Sequence, residues 1–271
     1  MKKHVLDEKM LQSITPVQIS SYLQSRGAYK TGERLNKVII WQYNKEEIFM
    51  PLGIHSSDYV GRVANVLSLL EKIENRSQVE IVEDICHSDF DVIRIINKDV
   101  LQETFICSMD CMRYACDLLV ASACSAVTYK SSYSGLLPQE AERFMKNILF
   151  GGLENFVLRL LVPAENEFES YEQSVIPTFE SGLQALQLAA QQSVLDHKLS
   201  RFITAIPQGV TSNLCDAITN MYDSVQPKHI EICISYSCNR NQPRPLARIY
   251  IKSEYIPIIR EASAYIKSFK P

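Results

Sequence analysis

Four aspartates, Asp89, Asp91, Asp110 and Asp117, lie in one stretch of the chain with Arg94 and Arg113 between them. Carboxylates are hard oxygen ligands, and converging ones hold the divalent cations of nuclease and phosphotransfer sites. Asp89, Asp91 and Asp110 are the candidates for that role. The competing expectation is structural. Asp110, Arg113 and Asp117 are spaced to share one helix face, so Arg113 could bridge the two acids there. Any of these charges that is buried needs a partner.

Eight cysteines offer a second chemistry. Cys107, Cys111, Cys116 and Cys124 have no CxxC spacing, and Cys233 and Cys238 lack the paired knuckles of a zinc site. Cys86 and His87 are adjacent, which points their side chains apart. The five histidines, at 4, 55, 87, 197 and 229, are scattered. There is no Walker A loop, GxGxxG, GxSxG, HExxH or kinase set. No catalytic residue, metal or cofactor is expected on these grounds, and an enzyme is the lesser reading.

The third pattern is basic. Ser237 to Pro245 (SCNRNQPRP) is a loop carrying Arg240 and Arg244, and Arg248, Tyr250 and Lys252 follow on one strand face. Cations interleaved with an aromatic suit phosphate contact plus base stacking. Arg26, Lys30, Arg34 and Lys37 could add a second half to that surface. The plainer alternative is a solvated loop and an outer strand face. Charge is distributed to match: residues 1–78 hold 11 Lys/Arg against 8 Asp/Glu, residues 79–227 hold 9 against 20, and residues 228–271 hold 8 against 3.

These residues need elements to position them. The centre is Met109 to Val127, apolar around most of its circumference, which places a helix inside a protein. Its three charges make it a buried core helix with one charged stripe, and no membrane partner is expected. Thr15-Pro16 with Gln18 starts a helix through a capping box, and Gly27 stops it. Leu35–Tyr43 and Ile48–Leu52 make a hairpin, and Asp58–Glu74 a helix, which gives an α-β-β-α unit. Ser77–Cys86 follows as a helix, 89–97 as a strand, and Thr104–Cys107 as its partner. Gln139–Leu149 is a helix that Gly151-Gly152 ends, and 155–162 is a buried strand. Residues 164–172 are a linker. Three helices (177–195, 198–206, 211–225), two strands around Ile232 and Ile249, and a helix over 257–269 close the chain. The class is α+β, with a module over 1–78 and a mixed domain over 79–271 built around residues 109–127.

The segments Tyr22-Leu23-Gln24-Ser25-Arg26-Gly27, Ile48-Phe49-Met50-Pro51-Leu52 and the helix from Asp58 resemble the HicA toxin fold, itself similar to double-stranded-RNA-binding domains. The likeness covers about 60 residues. It implies a binding scaffold without ribonuclease chemistry, because the family's histidine has no counterpart in Gly32–Lys37, and His55 sits in a loop. From it follows the expectation of a bacterial, cytoplasmic binding or adaptor protein of a phage-defence or toxin–antitoxin system. Such a protein would contact RNA or DNA, or a protein partner in a complex. The alternatives are a metal-dependent nuclease or phosphotransferase using Asp89, Asp91 and Asp110, and a structural subunit. Acids in the opening MKKHVLDEKML break any leader-like apolar run, which also favours the cytoplasm.

Overall fold

A computed structural model describes residues 8–269 apart from 36, 101–104, 129, 155–156, 165–169 and 241. The class is mixed α+β. The chain divides into two compact units, the first made of Met1–Val92, Ala164–Asn166 and Ser235–Leu246, the second of the rest. The first is larger than the module expected over 1–78, and it takes in a segment from late in the sequence.

In the first unit α1 (Glu8–Ser13) leads to α2 (Pro16–Ser25). The capping box forms as its residues demand: Thr15 accepts from the Gln18 amide, and the Gln18 side chain accepts from the Thr15 amide. Such a cap is worth about 1 kcal/mol. Gly27 ends the helix with φ +81°, a conformation that costs glycine nothing. Three strands follow, β1 (Tyr29–Arg34), β2 (Val38–Tyr43) and β3 (Glu46–Pro51), in spatial order β1-β2-β3. The β2–β3 turn is Asn44-Lys45, with φ of 46° and 70°, as a tight hairpin of two left-handed residues requires. The expected hairpin is therefore present, but β1 adds a third strand to it. β1 escapes the sequence pattern because five of its six residues are exposed and polar residues dominate it.

α3 (Tyr59–Glu74) and α4 (Gln78–Cys86) complete this unit's helices, the second behind a capping box of Ser77 and Glu80. Ile19, Leu23, Trp41, Ile48, Met50, Val63, Leu67, Leu70, Ile81 and Ile85 form one buried core between helices and sheet.

The second unit is organised by α5 (Phe105–Thr128), longer than the 109–127 expected. Cys111, Ala115, Leu118, Leu119, Ala121, Ala123 and Cys124 are buried along it, while Arg113 and Asp117 stay exposed. It packs against α6 (Gln139–Lys146), α7 (Ser170–Asp196) and α9 (Ser212–Val225); the short α8 (Ser200–Thr204) lies between the last two in sequence. A second sheet has the order β5-β6-β4-β7-β8, from β4 (Phe90–Lys98), β5 (Leu149–Glu154), β6 (Val157–Pro163), β7 (His229–Ser235) and β8 (Ala247–Lys252). α10 (Ile256–Ser268) closes the chain against α9 and α7.

Three expectations fail here. Residues 164–172 are not a linker throughout, because α7 already begins at Ser170, while 165–169 lie outside the described residues. Phe105 onward is helical, so no strand runs over 104–107, Thr104 itself lying outside the described residues. Gly151-Gly152 does not stop a helix. α6 ends at Lys146, and the glycines lie inside β5, where the register against β6 shifts between Phe150 and Gly152. A Cβ on Gly151 would sit 3.2 Å from Arg159 Cβ and from Leu161 Cγ, so the bulge is built on close backbone approach.

Candidate functional site

The cations that sequence alone places on one basic surface separate into two environments. Arg26 is 7% exposed. It follows Ile19, Tyr22 and Leu23 at helical spacing, so it continues the apolar stripe of α2 into the interior. There its Nη2 donates to Asp84 Oδ2 at 3.2 Å and to Ser235 Oγ at 2.9 Å, and its guanidinium lies 4.9 Å from the Tyr22 ring centroid. Arg76, 3% exposed, donates to the same Asp84 oxygen at 2.6 Å and to Glu74 at 3.1 Å. The Tyr22 hydroxyl donates to both Glu74 oxygens, at 2.8 and 2.7 Å.

Two arginines and two carboxylates thus neutralise each other inside the unit. Burial pushes the Tyr22 phenol far above its ordinary range, and burial with Glu74 beside it pushes Tyr43 up to about 12. Both stay protonated at any physiological pH. This cluster ties α2, α3 and α4 to Ser235 inside the unit.

Asp91 belongs to a second buried pair. Its side chain is 0% exposed, and its carboxylate takes a bidentate contact from Arg240 and a 2.9 Å hydrogen bond from the Ser237 amide. Arg240 is consumed by that contact and lies over the Tyr236 ring. Arg244 is exposed and lies 5.1 Å from the same centroid. Of the two loop arginines, only Arg244 is presented to solvent. Asp89 is exposed. Among the described residues no group of three or more His, Cys, Asp or Glu side chains is arranged to hold a metal ion. In the second unit, Arg113 faces the Tyr114 ring at 5.6 Å instead of bridging Asp110 and Asp117.

Exposed cations and aromatics meet on the outer face of the three-stranded sheet. Alternation decides which side chains point there. Ile39, Trp41, Tyr43, Ile48 and Met50 join the core, so Val38, Ile40, Gln42, Glu47 and Phe49 face outward. The register puts Arg34 across from Val38, Gly32 across from Ile40 and Tyr29 across from Gln42, on that same outward side. Arg34 lies 5.4 Å from the Phe49 centroid, with Phe49 42% and Tyr29 62% exposed. Lys37 is exposed at the β1–β2 turn, and Lys30 pairs with Glu33 at 2.9 Å.

On β8 of the second unit, Arg248, Tyr250 and Lys252 share one face, as the alternation requires. They oppose Cys233, Glu231 and His229 of β7. Tyr250 donates to Glu231 at 3.4 Å and Lys252 to Glu254 at 3.2 Å, so part of this charge is already answered.

All eight cysteines are free thiols, and burial raises those of Cys86, Cys111, Cys116, Cys124, Cys215 and Cys238, which makes them poor nucleophiles. His55 is exposed in its loop. No helix among the described residues is long and apolar enough to cross a membrane. No protein-family model, curated protein or solved structure matches the chain.

The sequence reading missed Phe49 and Tyr29. Phe49 was legible as an outward position, since it alternates with Ile48 and Met50. Tyr29 had no such signal, because its strand carries no apolar alternation.

Proposed function

We propose that this chain is a non-catalytic binding protein that takes single-stranded nucleic acid on the outer face of its first sheet. One observation carries the reading: Arg34 stacked on an exposed Phe49, with Tyr29 presented on the same face. Every base has a π face, so aromatic side chains receive single strands with little regard to sequence, at about 1–3 kcal/mol per stacked base. Arg34 and Lys37 supply phosphate contacts at the rim. Arg244 offers one more exposed cation on the 235–246 segment of the same unit. The bacterial multi-component setting, of phage-defence or toxin–antitoxin type, is the context that the toxin-like start favours. The nuclease or phosphotransferase alternative is weakened by Asp91, whose oxygens are committed to Arg240 and Ser237.

The test is fluorescence anisotropy with labelled oligouridine, oligothymidine and an RNA duplex. Phe49→Ala weakens single-strand binding by about 5- to 100-fold, as loss of one stacking partner requires. Arg34→Ala lowers the slope of log K against log salt by about 0.7 for one phosphate contact. Arg240 is left intact in this test, because reversing its charge would place two acids together in the interior. No binding to any of the three oligonucleotides at low salt overturns the proposal.

A further inference from the structure

The outer face of the first sheet is a grid whose two ends differ. The strand registers set three rows across it: Arg34 beside Val38, then Gly32, Ile40 and Phe49, then Tyr29, Gln42 and Glu47. Cations gather at the first end, where Lys37 lies exposed in the adjoining turn. At the last end stands an acid. Glu33, the acid of β1, is answered by Lys30 at 2.9 Å. Glu47 is exposed, Gln42 beside it is half-buried, and neither side chain makes a hydrogen bond or ion pair among the described residues. In the middle row the space beside Gly32 is bounded by Ile40 Cδ1, 3.9 Å from where a Cβ would stand, in line with Phe49.

We infer that this face selects guanine, and that Glu47 is the residue that reads it. The inference rests on the single-strand reading above and adds which base is held. A carboxylate only accepts hydrogen bonds, and its two oxygens can take two donors at once. Guanine is the one common base whose Watson–Crick edge carries two adjacent donors, N1–H and N2–H. Its O6 beside them takes a hydrogen bond from an amide such as Gln42. Adenine, cytosine and uracil each set an acceptor beside their donor, against the second carboxylate oxygen. Directly paired residues stand about 4.5–5.5 Å apart at Cβ, close enough for Gln42 and Glu47 to share one base edge. Phe49 and Glu47 are two residues apart on one face, about 7 Å along the strand. That is the reach of a purine lying on the ring with its edge hydrogen-bonded. The sugar then points back towards the row of Arg34, where phosphate is held.

Fluorescence anisotropy on the full chain tests this with a labelled oligouridine and four copies whose central uridine becomes guanosine, inosine, adenosine or cytidine. The guanosine strand binds about 5- to 150-fold tighter than the parent, as one bidentate base contact gives. Inosine, which keeps N1–H but lacks the N2 amine, falls between them. Glu47→Gln, with circular dichroism unchanged, abolishes the guanosine preference and leaves the parent strand bound at least as tightly. Equal affinity for all five strands overturns the choice of base and leaves the single-strand reading standing. So does inosine bound as tightly as guanosine, or a guanosine preference that survives Glu47→Gln. No binding by any of the five overturns both.

Discussion

Arg26 and Arg34 lie close in sequence and have opposite fates. Arg26 is enclosed with Asp84, Ser235 and the Tyr22 ring, whereas Arg34 lies on an exposed phenylalanine at the open face of a sheet. Arg240 and Arg244 repeat the contrast on a four-residue scale, one clamped to a buried carboxylate and the other in solvent over the same tyrosine. An arginine's part in binding is decided by whether its partner is inside or outside the fold. Removing one member of a buried pair strands a charge in a medium that solvates it poorly, whereas removing an exposed cation only returns a side chain to water.

The contrast can be broken most directly at Asp84. Asp84→Ala leaves Arg26 and Arg76 facing each other, and the first unit should lose about 3–5 kcal/mol in urea unfolding. A loss below about 1 kcal/mol, in the range of surface pairs, would mean that water reaches the cluster. The next test compares the loop arginines. Arg240→Met should cost about 3 kcal/mol by stranding Asp91, while Arg244→Met costs under about 1 kcal/mol as an exposed cation–π contact. Equal effects would erase the distinction.

A titration sharpens the same point. Tyr43 has an ordinary phenol in the unfolded chain and one raised to about 12 when folded. The folded state therefore holds this proton more tightly. The stabilisation is complete below the unfolded value of about 10 and is lost as pH climbs from there to about 12. Tyr43→Phe should flatten the fall in melting temperature across that window. The smallest effect belongs to the exposed Lys30–Glu33 pair, where Lys30→Ala should change stability by less than about 0.5 kcal/mol.

Much of the frame could be read from residue types. The Thr15/Gln18 capping box, the β2–β3 hairpin, the buried α5 and the terminal strands follow from caps and periodicity that local physics enforces. β1 was not readable, because its side chains are mostly polar and exposed and give no apolar alternation. β5 was misread, because a glycine pair marks a helix end and a bulged strand equally well. The site was half legible. Arg26 sits at the i+7 position from Ile19, with Tyr22 and Leu23 between, and Asp84 sits among Ile81, Val82 and Ile85, so both carried a signal of burial. Which acid Arg240 would find, far away in sequence, had no signal at all.

The first unit is finished by residues 235–246, long after its opening 92 have been made. At a synthesis rate of about 5–20 residues per second, the gap amounts to roughly 7–30 s during which Asp91 has been translated and its cation has not. The nascent chain must carry that acid either hydrated or protonated until Arg240 emerges. A stop between residues 92 and 239 would release a fragment whose first sheet is complete and whose last lock is missing.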